Sequence, residues 1–227
     1  MQRLYLLHGF MGTAQTHFLE QISFLEDNYE LILLDLPGHG NNPKEAPEDY
    51  FEEALTYVIE KMKMNGEGCL IGLSLGASLA VHIALREPQW VNSIVLTGYT
   101  PYIPEELTGV MDKQYEYFLN IENTDKGTAE HFEKLHGEKW RSTLKNVLYT
   151  MTYNYPTALK EDISKIQSPI LMLNGSKELH EVEAVHYVKK ISNDAQVGLI
   201  PDAGHTANMD QPETYNKLLS DFLSKIS

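Results

Sequence analysis

Six short apolar runs punctuate the chain: Leu4–Leu7, Leu31–Asp35, Cys69–Leu73, Ser93–Thr97, Pro169–Asn174 and Gln196–Ile200. Each has the length of a buried strand and is bounded by polar or turn-forming residues. Between them, apolar residues recur at helical spacing. Phe18, Ile22 and Leu25 form one such set, Phe51, Ala54, Leu55, Val58, Ile59 and Met62 a second, and Leu75, Leu79 and Ile83 a third. A last helix carries Tyr215, Leu218, Leu219, Phe222, Leu223 and Ile226. Strands that are continuously apolar need cover on both sides. The pattern therefore predicts an α/β fold, a mostly parallel six-stranded sheet with helices on both faces.

The interval from Thr97 to Pro169 is far longer than an ordinary crossover. It is rich in aromatic residues, and Trp140, Leu144, Val147, Leu148 and Met151 fall at helical spacing. A small helical cap inserted at about residues 100–165 of a single domain spanning 1–227 fits this stretch. Open parallel sheets bind ligands at the carboxyl ends of their strands, where such a cap would sit. Most of its aromatics are expected to glue cap to body, and a few to line a pocket.

Composition narrows the partners. The net charge of −14, from 18 basic and 32 acidic side chains, repels phosphate backbones and anionic lipid heads, so neither nucleic acid nor a membrane is expected. The one cysteine, Cys69, lies in an apolar strand and reads as a buried, inert thiol in a reducing compartment. The N-terminal run Leu4–Leu7 is too brief for a signal-peptide core or a membrane span, and a cytoplasmic location is expected. No H-E-x-x-H pattern or cysteine cluster is present, so neither a metal nor any other cofactor is expected.

The chemistry centres on Gly72-Leu73-Ser74-Leu75-Gly76, where a strand-like run gives way to a helix-like one. A serine on a sharp strand-to-helix turn is held clear of its neighbours, and the flanking glycines let adjacent backbone pass closely. That is the pattern of a nucleophile elbow, and the N–H of Leu75, opening the helix, faces any developing negative charge. A serine hydroxyl needs a base. Of nine histidines, His205 is best placed, in a loop between the last strand and the terminal helix. His8 and His39 sit in glycine turns where packing is the simpler role, His82 lies on the elbow helix, and His17, His131, His136, His180 and His186 read as surface or structural. An acid should orient the base, and Glu178, just beyond the fifth strand, is the choice, with Glu181 and Asp202 as rivals.

Taken together, His8-Gly9-Phe10, Asp35-Leu36-Pro37-Gly38-His39-Gly40, the serine elbow and Gly204-His205 resemble the alpha/beta-hydrolase superfamily over almost the whole chain. The resemblance implies that the backbone N–H of Phe10 joins that of Leu75 as an oxyanion hole, and that Gly38-His39-Gly40 shapes a loop beside the site. Two departures stand out. Family members commonly have aspartate where Glu178 stands, and many begin with an N-terminal hairpin that this sequence does not show, which implies a compact six-stranded sheet.

The reading that follows is a serine hydrolase acting on a small, largely uncharged ester or related acyl compound through an acyl-enzyme with a Ser74–His205–Glu178 triad. Two alternatives stay open. The motifs around His8 and His39 also resemble the lyases that make 2-succinyl-6-hydroxycyclohexadiene carboxylate in menaquinone synthesis. That branch, however, typically carries arginine where this chain has Ser78, and its polyanionic substrate needs cations. Arg3, Arg86 and Arg141 are the only arginines. The second alternative is a ligand receptor or signalling partner that keeps the triad.

Overall fold

The computed structural model describes residues 1–226. Six strands form one sheet: β1 (Arg3–Leu7), β2 (Glu30–Leu34), β3 (Gly68–Leu73), β4 (Val91–Thr97), β5 (Ile170–Gly175) and β6 (Gln196–Ile200). Every neighbouring pair is parallel, in the order β2-β1-β3-β4-β5-β6. Each expected apolar run is thus a strand, within two residues of the predicted ends.

Among the described residues, twelve α-helices connect or flank the strands. They are α1 (Ala14–His17), α2 (Leu19–Leu25), α3 (Tyr50–Asn65), α4 (Leu75–Arg86), α5 (Thr108–Leu119), α6 (Ile121–Thr124), α7 (Lys126–His136), α8 (Trp140–Tyr153), α9 (Lys160–Ile163), α10 (Leu179–Ile191), α11 (Ala207–Asp210) and α12 (Pro212–Leu223). The long interval between β4 and β5 is helical, holding α5 to α9.

The strand period of two divides the interior into two layers. Tyr5, Leu7, Leu70, Ile94, Leu96, Ile170 and Met172 point to one face, where α3, α4 and α10 contribute Leu55, Val58, Leu79, Ile83 and Val188. Leu4, Leu6, Cys69, Ile71, Val95, Leu171 and Leu173 point to the other, against Phe18, Leu25, Tyr215, Leu219 and Phe222. Burial pushes the Cys69 thiol up to about 12, which leaves it unreactive at neutral pH.

The strand order reverses beside β1. From β1 the chain moves outward to β2, then returns to lay β3 on the other side. The loops leaving β1 and β3 therefore diverge above the sheet and open a crevice, the topological switch point at which such sheets bind ligands. His8–Gly12 leaves β1 there, and Ser74 leaves β3.

Candidate active site

Ser74 occupies a strained turn. Its φ of 55° and ψ of −113° lie in a region that side-chain-bearing residues rarely visit. The surroundings over-determine it: its N–H donates to the carbonyl of Thr97 at 2.8 Å. A side chain on Gly76 would stand 1.9 Å from the Leu7 carbonyl oxygen, and one on Gly72 2.3 Å from that of Gly76, so only glycine permits this approach of α4 to β1 and β3. Leu75 is the first residue of α4, and its N–H is among those a helix leaves without an intrahelical acceptor.

The loop after β1 packs directly on the elbow, since a Cβ on Gly9 would lie 3.2 Å from that of Ser74. Three imidazoles hold this loop, and each bond fixes a tautomer. His8 accepts the Leu36 N–H at Nε2 (2.9 Å) and donates from Nδ1 to Gly9 O (2.8 Å). His17 accepts the Gly9 N–H at Nδ1 (3.1 Å). His136, arriving from α7, accepts the Gly40 N–H at Nδ1 (2.9 Å) and donates from Nε2 to Met11 O (3.1 Å). Met11 itself has a positive φ of 51°, so the loop is bent as tightly as the elbow it faces. His39 donates from Nδ1 to Pro37 O and lies 4.7 Å from the His8 ring and 5.2 Å from that of His136.

Burial disfavours the charged form of each of these rings. It brings His17 down to about 4 and His39 to about 3, and holds His8 well below the ordinary value of 6.5. His136 is lowered in the same way, with its hydrogen bond to Met11 and the charge of Asp35 opposing. The four rings are neutral at physiological pH, as the accepting bonds of His8, His17 and His136 require.

His205 reaches the crevice from the loop after β6. Its Nδ1 meets Glu181 Oε1 at 2.5 Å; the carboxylate is almost wholly buried while half of the imidazole is exposed. Gly98, at φ +56°, backs the ring, and a Cβ there would stand 2.9 Å from His205 Cε1. Because Gly98 follows Thr97, which holds the Ser74 N–H, the end of β4 sets imidazole and hydroxyl against one wall. Ser74, His205 and Glu181 all line one cavity of about 480 Å³.

The pairing corrects the expected acid. Glu178 caps the start of α10 with an extended backbone and lines the same cavity, but the carboxylate that meets His205 is Glu181, one helical turn further on. Asn174, at the end of β5, explains the preference. Its amide donates to the carbonyls of Glu181 and Tyr99 at 3.0 and 2.9 Å, which draws the first turn of α10 inward over the sheet. Asp202 stands exposed in a turn at φ +59°. Two further residues read from sequence as surface or structural also line the cavity, His17 and His180. No spacing in the sequence singles them out, because only the folded loop brings them to it.

Cap residues close the chamber, among them Leu107, Val110, Met111, Phe118, Leu148 and Met151. Tyr155 lies beside them with its hydroxyl donating to Thr100 O at 2.7 Å, and burial is the main cause of its raised pKa. Among the described residues, no group of three or more histidine, cysteine, aspartate or glutamate side chains is arranged to hold a metal. No described helix is long and apolar enough to cross a membrane.

A parallel sheet with an elbow serine and a paired histidine at its switch point defines a class, and the sequence comparison agrees: residues 4–218 match the model of the alpha/beta hydrolase family, to which the chain belongs. Its relatives include human serine hydrolase BPHL, 24% identical across 96% of this chain and 78% of that protein. A putative 2-succinyl-6-hydroxy-2,4-cyclohexadiene-1-carboxylate synthase of Bacillus subtilis is 26% identical across 97% and 89%. Among solved structures, NosK from Streptomyces actuosus superposes with a TM-score of 0.91 at 32% identity, covering 99% of this chain and 98% of that one.

Proposed function

We propose that the protein is a serine hydrolase that cleaves a small, largely uncharged ester or related acyl compound. Ser74 attacks the carbonyl carbon as His205 Nε2 takes its proton, and Glu181 steadies the imidazolium so formed. The N–H groups of Phe10 and Leu75 receive the oxyanion. Collapse expels the alcohol, protonated by His205, and water activated by the same imidazole then releases the acid. The observation that carries this reading is the pairing of the buried Glu181 carboxylate with His205, opening onto the cavity that holds the strained Ser74.

The cavity's charge supports an uncharged substrate. Its described lining includes Glu178 and Glu181 and neither lysine nor arginine. A polyanion would meet carboxylates with no cation to offset them. That weighs against the lyase reading, which the Bacillus subtilis relative favours, and Ser78 at the position of that branch's arginine is fully buried in α4.

The test is labelling with a fluorophosphonate followed by peptide mapping, beside turnover of p-nitrophenyl butyrate. Mass added to the peptide containing Ser74, with steady turnover, is expected. Modification at another residue would overturn the assignment, a single slow turnover would favour a receptor, and pyruvate release from the menaquinone precursor would favour the lyase.

A further inference from the structure

The reaction chamber is not the only space beneath the cap. A second cavity of about 400 Å³, open to solvent beside the exposed Tyr117 and His131, lies among α5, α6, α7 and the loop after β1, with Met11, Ile121 and Phe132 among its apolar walls and Asp125, Thr128 and His131 on its polar side. Three residues line both cavities: Phe10, His17 and Phe118. A side chain shared by two linings is a wall between them. The rings of Phe10 and Phe118 meet edge to face, 5.3 Å between centroids and 78° between planes, and form that wall's apolar part.

The two phenylalanines are anchored differently. Phe10 belongs to the loop that three histidines hold at Gly9 and Met11. Phe118 belongs to α5, a helix of twelve residues none of which is fully buried, so its ring stands on an element with little core of its own. An acyl or alkyl chain growing away from Ser74 toward α5 meets this ring before it can enter the second cavity. We infer that Phe118 is a specificity-determining residue that sets the length of substrate the enzyme accepts, the chamber at Ser74 taking short apolar groups and the ring shutting longer ones out of the space behind it. The inference rests on the hydrolase reading for its substrate, but the partition itself is a property of the two cavities.

Removing the ring joins the two spaces. Rates are compared for p-nitrophenyl esters from acetate to laurate with the natural protein, Phe118→Leu and Phe118→Ala. The ratio of kcat/KM for laurate to that for butyrate should rise at least tenfold in Phe118→Ala and by a smaller factor in Phe118→Leu. An unchanged ratio in both folded variants overturns the inference.

A second measurement separates this from the hydrolase reading. Trp140 is buried with its ring 6.3 Å from that of Phe132, which lines the second cavity. Straight-chain 1-alkanols from butanol to dodecanol are titrated by tryptophan fluorescence against Ser74→Ala protein with and without Phe118→Ala. If no ester is turned over at all, dodecanol binding at least tenfold tighter in the double variant still supports the partition. Equal affinity sinks it.

Discussion

Ser74→Ala is expected to abolish ester turnover, lowering kcat by roughly 10⁴- to 10⁶-fold, because no other hydroxyl stands on the elbow to form the proposed acyl-enzyme. His205→Ala should match it, since the two act as a unit and removing either removes the covalent route. The informative comparison is between the two glutamates. Glu181→Gln keeps the shape of the buried side chain but turns an acceptor that holds the imidazole into an amide able to offer a donor instead, and a loss of about 10³- to 10⁴-fold in kcat is expected for that change of tautomer. Glu178→Gln retains most of its kcat, because its carboxylate lines the cavity without pairing with His205. Steady-state kinetics on the four purified variants, with circular dichroism to verify folding, reads all of this. A Glu178→Gln protein as impaired as Glu181→Gln would show that the Glu181–His205 pair is not the working one.

The second large effect is on stability, and it comes from the imidazoles behind the loop after β1. His17 and His39 titrate near 4 and 3 in the folded chain and near 6.5 once unfolded. Below 6.5 the unfolded chain therefore binds protons that the folded one refuses. Stability is full above pH 6.5 and is lost as the pH falls toward the folded values. By linkage each of these two rings contributes a loss on the order of 3 kcal/mol by pH 4, comparable together with the whole stability of many domains. His8 and His136 act in the same direction, and so does His82, lowered chiefly by burial with its hydrogen bond to Pro156 O opposing. Urea melts between pH 7.5 and 4.5 should show the unfolding free energy falling with a slope near pH 5 of at least about two protons. A flat profile across that range would mean that these rings are solvated or charged in the folded protein. Below the transition the loop that carries Phe10 loses the His17 acceptor of its Gly9 N–H, so activity is expected to fall no later than the fold.

Much of this molecule is legible in one dimension. The six apolar runs announced six strands, and the helical spacings in α3, α8 and α12 marked the faces that the structure buries, apart from Leu218, which is a little over a third exposed, and Ile226, which lies past the end of α12. Burial is the dominant force, and its imprint on sequence is a period. The elbow was equally plain, since glycine flanking a serine between strand and helix has few other uses, and the extreme closeness of Gly76 to Leu7 shows why no other residue serves.

The acid and the histidine row were not legible, for a geometric reason. Glu178 and Glu181 lie three residues apart at the start of one helix, and which of them faces inward depends on how Asn174 draws that first turn across the end of β5. The sequence alone determined the layered scaffold and singled out the serine and the histidine proposed to serve it, because periodicity and local turn chemistry are properties of neighbours along the chain. Only the tertiary structure decided which carboxylate meets His205, that His17 belongs to the cavity, and where Phe118 divides the space beneath the cap, because those are contacts between segments far apart in the chain and no local pattern encodes them.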